Sequence, residues 1–144
     1  MAPLQKRALY SFLAGLAMAA ALLAVFLIKG DLTAFKEDQG FRLIVYGLWV
    51  GVPLVSLILM NLTLRKQGQV DERDRLIMEK APKVQVLAVI ISLVAWCIVL
   101  TEVYWDQGQI PVIFPTLIII STLIISTLAQ SAGILLGYRG GEKR

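Results

Sequence analysis

The sequence contains no histidine and only one cysteine, Cys97, in 144 residues. Without histidine there is no imidazole to bind haem or zinc, and no histidine general base or proton relay. One thiol forms no intrachain disulfide, so the cysteine content says nothing about the redox compartment. No paired carboxylates or activated nucleophile stand out either. We therefore expect no catalytic residue, no metal site, no cofactor and no enzymatic activity.

Charged residues are also scarce. They make up 17% of the chain, whereas 58% is hydrophobic and the mean hydropathy is +0.75. A soluble domain has about 45–50% apolar residues. The low content of proline and polar low-complexity sequence excludes a disordered or collagen-like chain. The composition therefore predicts a polytopic membrane protein.

The apolar residues are concentrated in four segments. A bilayer core about 30 Å thick needs roughly 20 apolar residues in a helix, and four segments have this length: residues 8–28, 41–64, 83–104 and 110–138. The first segment is longer than the roughly 7–15 apolar residues of a signal peptide, so we expect an uncleaved anchor. The prediction is an all-α membrane protein, a four-transmembrane-helix bundle forming one integral membrane domain over residues 1–144.

The basic residues predict the orientation, because lysine and arginine collect on the cytoplasmic side. The amino terminus, the loop 65–82 with Lys83 at its end, and the tail after residue 138 together carry eleven basic and five acidic residues. The two opposite connections carry three basic and five acidic residues. Both termini are therefore predicted to be cytoplasmic. Acidic residues alternate with the basic ones in the loop, which argues against a nucleic-acid partner.

Small and polar residues recur at helical spacing in the predicted spans. In lipid, helices associate where small residues allow close approach and polar groups pair. The candidate helix-packing residues are Gly47, Gly51, Asn61, Gln85, Ser92, Ser126, Gln130, Gly133 and Gly137. They suit contacts within one bundle, within a homo-oligomer, or with a heteromeric membrane partner, and the pattern alone does not choose among these.

Two further features leave alternatives open. Pro53 predicts a kink in the second span, either structural or acting as a hinge. The tripeptide DQG occurs at 38–40 and again at 106–108, each time in an outward connection. This repeat is compatible with a duplicated helical hairpin.

No aspartate, glutamate, lysine or arginine lies in the middle of a predicted span. Ion and proton carriers usually keep an ionisable group at this depth. Glu102 is the nearest, and it is predicted to lie near the outer surface. This absence argues against coupled ion transport, although Asn61, Gln85 and Gln130 together suit the lining of an inner vestibule.

The cytoplasmic loop contains the run VDERDRLIMEKAPK at 70–83. Acidic residues at its start suit the positive end of a helix dipole, so we expect a short amphipathic helix that leads into the third span and bends at Pro82. This helix either anchors the span at the lipid headgroups or docks a partner. The candidate partner-docking residues are Asp71, Glu72, Arg73, Asp74, Arg75 and Lys80.

The DERD of this loop, followed by an apolar pair and EKA, resembles the cytoplasmic DER…KA signature of a family of small prokaryotic four-span membrane proteins. The resemblance covers residues 71–81 and the layout of the spans. It implies a location in the prokaryotic cytoplasmic membrane, and it implies no particular activity.

These features favour a non-enzymatic membrane protein, an accessory or regulatory subunit or interaction module of a membrane complex. The alternative is a small oligomeric transporter or channel. Small multidrug exporters are similar in length and span count, but their membrane-embedded glutamate has no counterpart in the first span here.

Overall fold

The computed structural model describes residues 3–29, 37–64 and 72–140, and these residues form four helices. In chain order they are α1 (Pro3–Lys29), α2 (Gln39–Leu64), α3 (Glu72–Tyr104) and α4 (Ile113–Gly140). Side chains are described for most of α1, α3 and α4 and for the first half of α2. Within the described ranges all regular structure is helical.

Three of the four helices are long and apolar enough to cross a membrane. Their apolar stretches run over Leu4–Ile28, Asp74–Tyr104 and Ile113–Arg139. Few residues in these stretches are buried inside the protein, and over an 18-residue apolar segment of α3 the buried share is only 6%. In water, such an apolar surface would cause the protein to associate with other apolar surfaces. In a lipid bilayer, an apolar outer surface is expected. The protein is therefore a helical membrane protein.

The helix bounds differ most from the sequence prediction at three places. The short amphipathic helix and the third span form one continuous helix of 33 residues with Pro82 inside it. α1 begins before the apolar segment, at Pro3. α4 begins at Ile113 and not at residue 110, because the chain first makes a turn in which the Phe114 N–H donates to the Pro111 carbonyl at 3.1 Å.

The two DQG tripeptides have different local structures. Asp38 precedes α2, and its carboxylate accepts a hydrogen bond from the Phe41 N–H at 3.2 Å, as a helix N-cap does. In the second copy, Gly108 follows the end of α3 with φ +62° and donates its N–H to the Tyr104 carbonyl. Glycine adopts this left-handed conformation without a Cβ clash. The repeat therefore begins one helix and ends another.

α4 is the central helix, since it packs along both α3 and α1, while α1 also packs against α2. Near the start of α2 and α4, a core forms around Phe41 and Val45, both fully buried, with Met18 and Ile120. Phe26 meets Phe41 edge to face at a centroid distance of 5.5 Å. α3 joins the assembly through α4, by the contacts described next.

Candidate functional site

The candidate site lies at the end of the molecule formed by the start of α1, the start of α3 and the end of α4. We call this end the basic end, because it carries the exposed Lys6, Arg7, Lys80, Lys83 and Arg139. α3 begins there at Glu72, and Glu72 and Asp74 lie in its first turn. Carboxylates at this position interact favourably with the unpaired N–H groups of the helix start. The two acidic residues therefore stabilise the start of α3.

A buried polar contact joins the start of α3 to the end of α4. Asp74 and Tyr138 are 8% and 9% exposed, and the Tyr138 hydroxyl donates a hydrogen bond to Oδ1 of Asp74. A buried carboxylate is stable only when hydrogen bonds replace its water. The contact therefore holds the first turn of α3 against the last turns of α4.

Two glycines of α4 allow α3 to approach closely beside this contact. A Cβ on Gly137 would lie 3.0 Å from Cγ2 of Ile77, and one on Gly133 would lie 3.4 Å from Cα of Ala81. The contacts step four residues along both helices in opposite directions, which is the register of an antiparallel pair. The first three turns of α3 are thus packed against α4 along one face.

Polar contacts continue along the same helix pair. Gln85 Nε2 donates to Ser126 Oγ at 2.7 Å, and Trp96 Nε1 donates to Ser121 Oγ at 2.8 Å. Phe114 then packs edge to face against Tyr104 at 5.4 Å. Interhelical hydrogen bonds of this kind help helices associate where no water competes. Together with the glycine contacts, they make α3 and α4 a tightly registered hairpin.

The opposite face of the α3 start is exposed and carries charges of both signs. We call it the docking face and define it by the exposed Glu72, Arg75, Leu76, Glu79 and Lys80. Arg75 and Glu79 form an i,i+4 ion pair at 3.7 Å with side chains 81% and 62% exposed. Leu76 is 59% exposed between these charged residues. An exposed ion pair adds little stability, so these charges remain available to an external partner.

The structure separates the residues that the sequence suggested for partner docking. Glu72, Arg75 and Lys80 lie on the docking face, whereas Asp74 is buried and bonded to Tyr138. Asp71 and the Arg73 side chain lie outside the described residues. Sequence reasoning assigned Asp74 to the surface and missed Tyr138, because no spacing rule pairs residues 64 positions apart.

The residues suggested for helix packing are also separated. Gln85, Ser126, Gly133 and Gly137 meet at the contact between α3 and α4, and Ser92 is half-buried on α3. A Cβ on Gly47 or Gly51 would meet nothing within 4 Å, so these glycines touch no described side chain. Gln130 is exposed and lines a cavity at the basic end. The side chains of Asn61 and Pro53 lie outside the described residues.

Across the described ranges, no group of three or more His, Cys, Asp or Glu residues is placed to hold a metal. Cys97 is an exposed free thiol on α3. The fold and the site define a class: an all-helical membrane protein whose third helix presents a charged face near its amino-terminal end. Comparisons with protein-family models, curated proteins and solved structures found no match to this chain.

Proposed function

We propose that this protein is a non-enzymatic accessory or regulatory subunit of a membrane complex, which binds a partner through the docking face of α3. The proposal includes four transmembrane spans, both termini in the cytoplasm and a location in the prokaryotic cytoplasmic membrane. The loop's resemblance to the DER…KA family supports that location.

The distribution of charge supports the four spans and their orientation. α2 is a 26-residue helix, long enough for a bilayer core about 30 Å thick at 1.5 Å per residue. The eleven basic residues at the amino terminus, loop and tail, against three in the other two connections, match the positive-inside rule. The basic end and the docking face then lie in the cytoplasm.

One observation carries the functional proposal: the start of α3 is held rigidly on one side and exposed on the other. The Asp74–Tyr138 hydrogen bond and the Gly137 and Gly133 contacts fix this segment on α4. A surface that is already ordered loses less conformational entropy when it binds. A segment that only anchored a span would need no such fixed orientation.

The charge pattern indicates the kind of partner. The docking face alternates acidic and basic side chains around the exposed Leu76. A partner surface with the complementary pattern pairs with both signs and covers the leucine. An anionic membrane surface attracts Arg75 and Lys80 but repels Glu72 and Glu79, so little net attraction remains. The favoured partner is therefore a protein with a mixed-charge surface around an apolar pocket.

The experiment compares the wild-type chain with a double variant that exchanges the ion pair, Arg75→Glu with Glu79→Arg. The exchange retains an i,i+4 pair and so preserves the helix, while it reverses the positions of the two opposite charges beside Leu76 on the docking face. Each protein is purified in mild detergent from its native membrane. We expect a partner at fixed stoichiometry with the wild type and its loss with the double variant.

Glu102→Gln serves as the matched control, since Glu102 is exposed at the opposite end of α3. It should retain the partner. If the exchanged variant also retains the partner at full stoichiometry, the docking face is not the binding surface. If the wild type purifies only as a self-contained oligomer that moves a substrate into liposomes, the subunit proposal is wrong and the transporter alternative holds.

A further inference from the structure

A cavity of about 260 Å³ opens at the basic end between α1, α3 and α4. Its polar lining consists of Arg7 and Ser11 from α1 and Gln130 and Ser131 from α4. Its apolar lining includes Leu4, Met78 and Ile134. The cavity lies on a different side of α3 from the docking face, so an inference about it does not depend on the proposed function.

The lining of this cavity combines one cation with hydroxyl and amide groups. In the part of the chain that the structure describes, no carboxylate forms an ion pair with Arg7. Ser131 is 3% exposed and brings a polar side chain to a buried wall of the cavity. Guanidinium, hydroxyl and amide groups are donors suited to phosphate oxygens. The ligand chemistry is therefore that of a phosphate.

The position of the cavity indicates where the phosphate comes from. Arg7 directly precedes the apolar segment of α1, and Pro82 precedes the apolar run of α3 by two residues. The cavity therefore lies where α1 and α3 pass from polar to apolar surroundings, at the depth of lipid headgroups. Basic pockets between transmembrane helices are known to bind anionic headgroups. The apolar wall suits the glycerol and first methylenes of a lipid and offers nothing to a free phosphate ion.

The geometry points to a binding site for one anionic phospholipid, with its phosphate on Arg7 and its headgroup hydroxyls near Gln130 and Ser131. A volume of about 260 Å³ is below the roughly 300–1,000 Å³ of pockets that enclose a whole drug-sized ligand. The cavity therefore holds the polar end of the lipid, and the acyl chains remain in the bilayer. A lipid bound there contacts α1, α3 and α4 together.

The test uses the full chain in detergent, with thermal unfolding and native mass spectrometry as readouts. Phosphatidylglycerol, phosphatidylcholine and inorganic phosphate are added separately. We expect phosphatidylglycerol to raise the unfolding temperature and to remain bound at one lipid per chain, more strongly than phosphatidylcholine. Inorganic phosphate should produce no comparable shift. An equal shift with inorganic phosphate would show a free-anion site and overturn the lipid assignment.

Arg7→Gln should weaken phosphatidylglycerol binding roughly tenfold, since a hydrogen bond to a charged group is lost. The matched control is Lys6→Gln, which removes the same charge from the neighbouring exposed residue outside the cavity and should bind as the wild type does. If both variants weaken binding equally, the lipid is attracted by the general positive charge of the basic end, and a specific lipid site in the cavity is excluded. Should Arg7→Gln fail to fold, equal wild-type affinity for the two lipids overturns the proposal by itself.

Discussion

Asp74 lies in a buried environment, although its position in the sequence suggests the surface. Between arginines in a highly charged loop, it has the setting of a surface residue. The structure buries it against Tyr138 because α4 ends beside the start of α3. A carboxyl group in such a position depends on its hydrogen bond, since the water that would otherwise solvate it is excluded.

Tyr138→Phe should lower the stability of the protein by about 1–3 kcal/mol, because it removes the hydrogen bond to a buried carboxylate and leaves the ring in place. Thermal unfolding in detergent measures the change. Tyr10→Phe is the control, because Tyr10 is 57% exposed and its replacement should have little effect. Equal stability of the two variants would mean that the Asp74–Tyr138 contact contributes nothing.

Two neighbouring hydroxyls of α4 should respond to mutation in opposite directions. Thr122 Oγ1 is buried and has no hydrogen-bond partner among the residues described, whereas Ser121 Oγ accepts from Trp96 Nε1. Thr122→Val should raise stability by about 1 kcal/mol, and Ser121→Ala should lower it by a similar amount, because one removes an unpaired group and the other creates one. Unfolding temperatures that move in the same direction would contradict this assignment.

At the scale of elements, the sequence pattern identified which helix faces carry small residues, but not which helix packs against each face. The stripe that contains Gly133 and Gly137 in α4 meets Ile77 and Ala81 of α3. The glycines of α2 have the same spacing, yet they meet no described side chain. The spacing of residues on one helix face follows from 3.6 residues per turn. The glycine pair of α2 and the glycine pair of α4 therefore look alike in the sequence. Which helix covers a stripe depends on the packing of the whole chain.

The register of α3 against α4 is testable by cross-linking in a Cys97→Ser background. A Cβ on Gly133 lies 3.6 Å from that of Ala81, within the roughly 3.5–4.5 Å of a disulfide. Ala81→Cys with Gly133→Cys should therefore oxidise readily to a faster-migrating species on a denaturing gel. Ile77→Cys with Gly133→Cys is out of register by one turn, about 6 Å, and should remain reduced. Faster oxidation of this second pair would mean a different register.

At the scale of the whole molecule, most of the apolar surface faces outward. Over an 18-residue apolar segment of each of the three stretches, only 6–17% of the residues are buried, and α3 packs mainly against α4. Such a chain requires lipid or other apolar partners to cover the remaining surface. The high apolar content that excludes a soluble fold is therefore found largely on the exposed faces of the helices.

The proposed topology is testable with single cysteines in a Cys97→Ser background. Gln107→Cys, in the turn after α3, should react with a membrane-impermeant thiol reagent in right-side-out vesicles. Glu79→Cys, on the docking face, should react only after the membrane is permeabilised, because the positive-inside rule places the basic end in the cytoplasm. A reporter fused after Arg144 should be active in the cytoplasm alone. If Glu79→Cys reacts in intact vesicles and Gln107→Cys does not, the orientation is the opposite of the proposed one.

The sequence by itself determined the class of protein, the helices and most of their limits. These follow from local physics, since run length, hydropathy and helix propensity act over neighbouring residues. The tertiary structure alone decided that Asp74 is buried, that Gly133 and Gly137 contact α3, and that Arg7 shares a cavity with Ser131. Each of these joins residues more than fifty positions apart, and only the packing of helices in three dimensions brings such residues together.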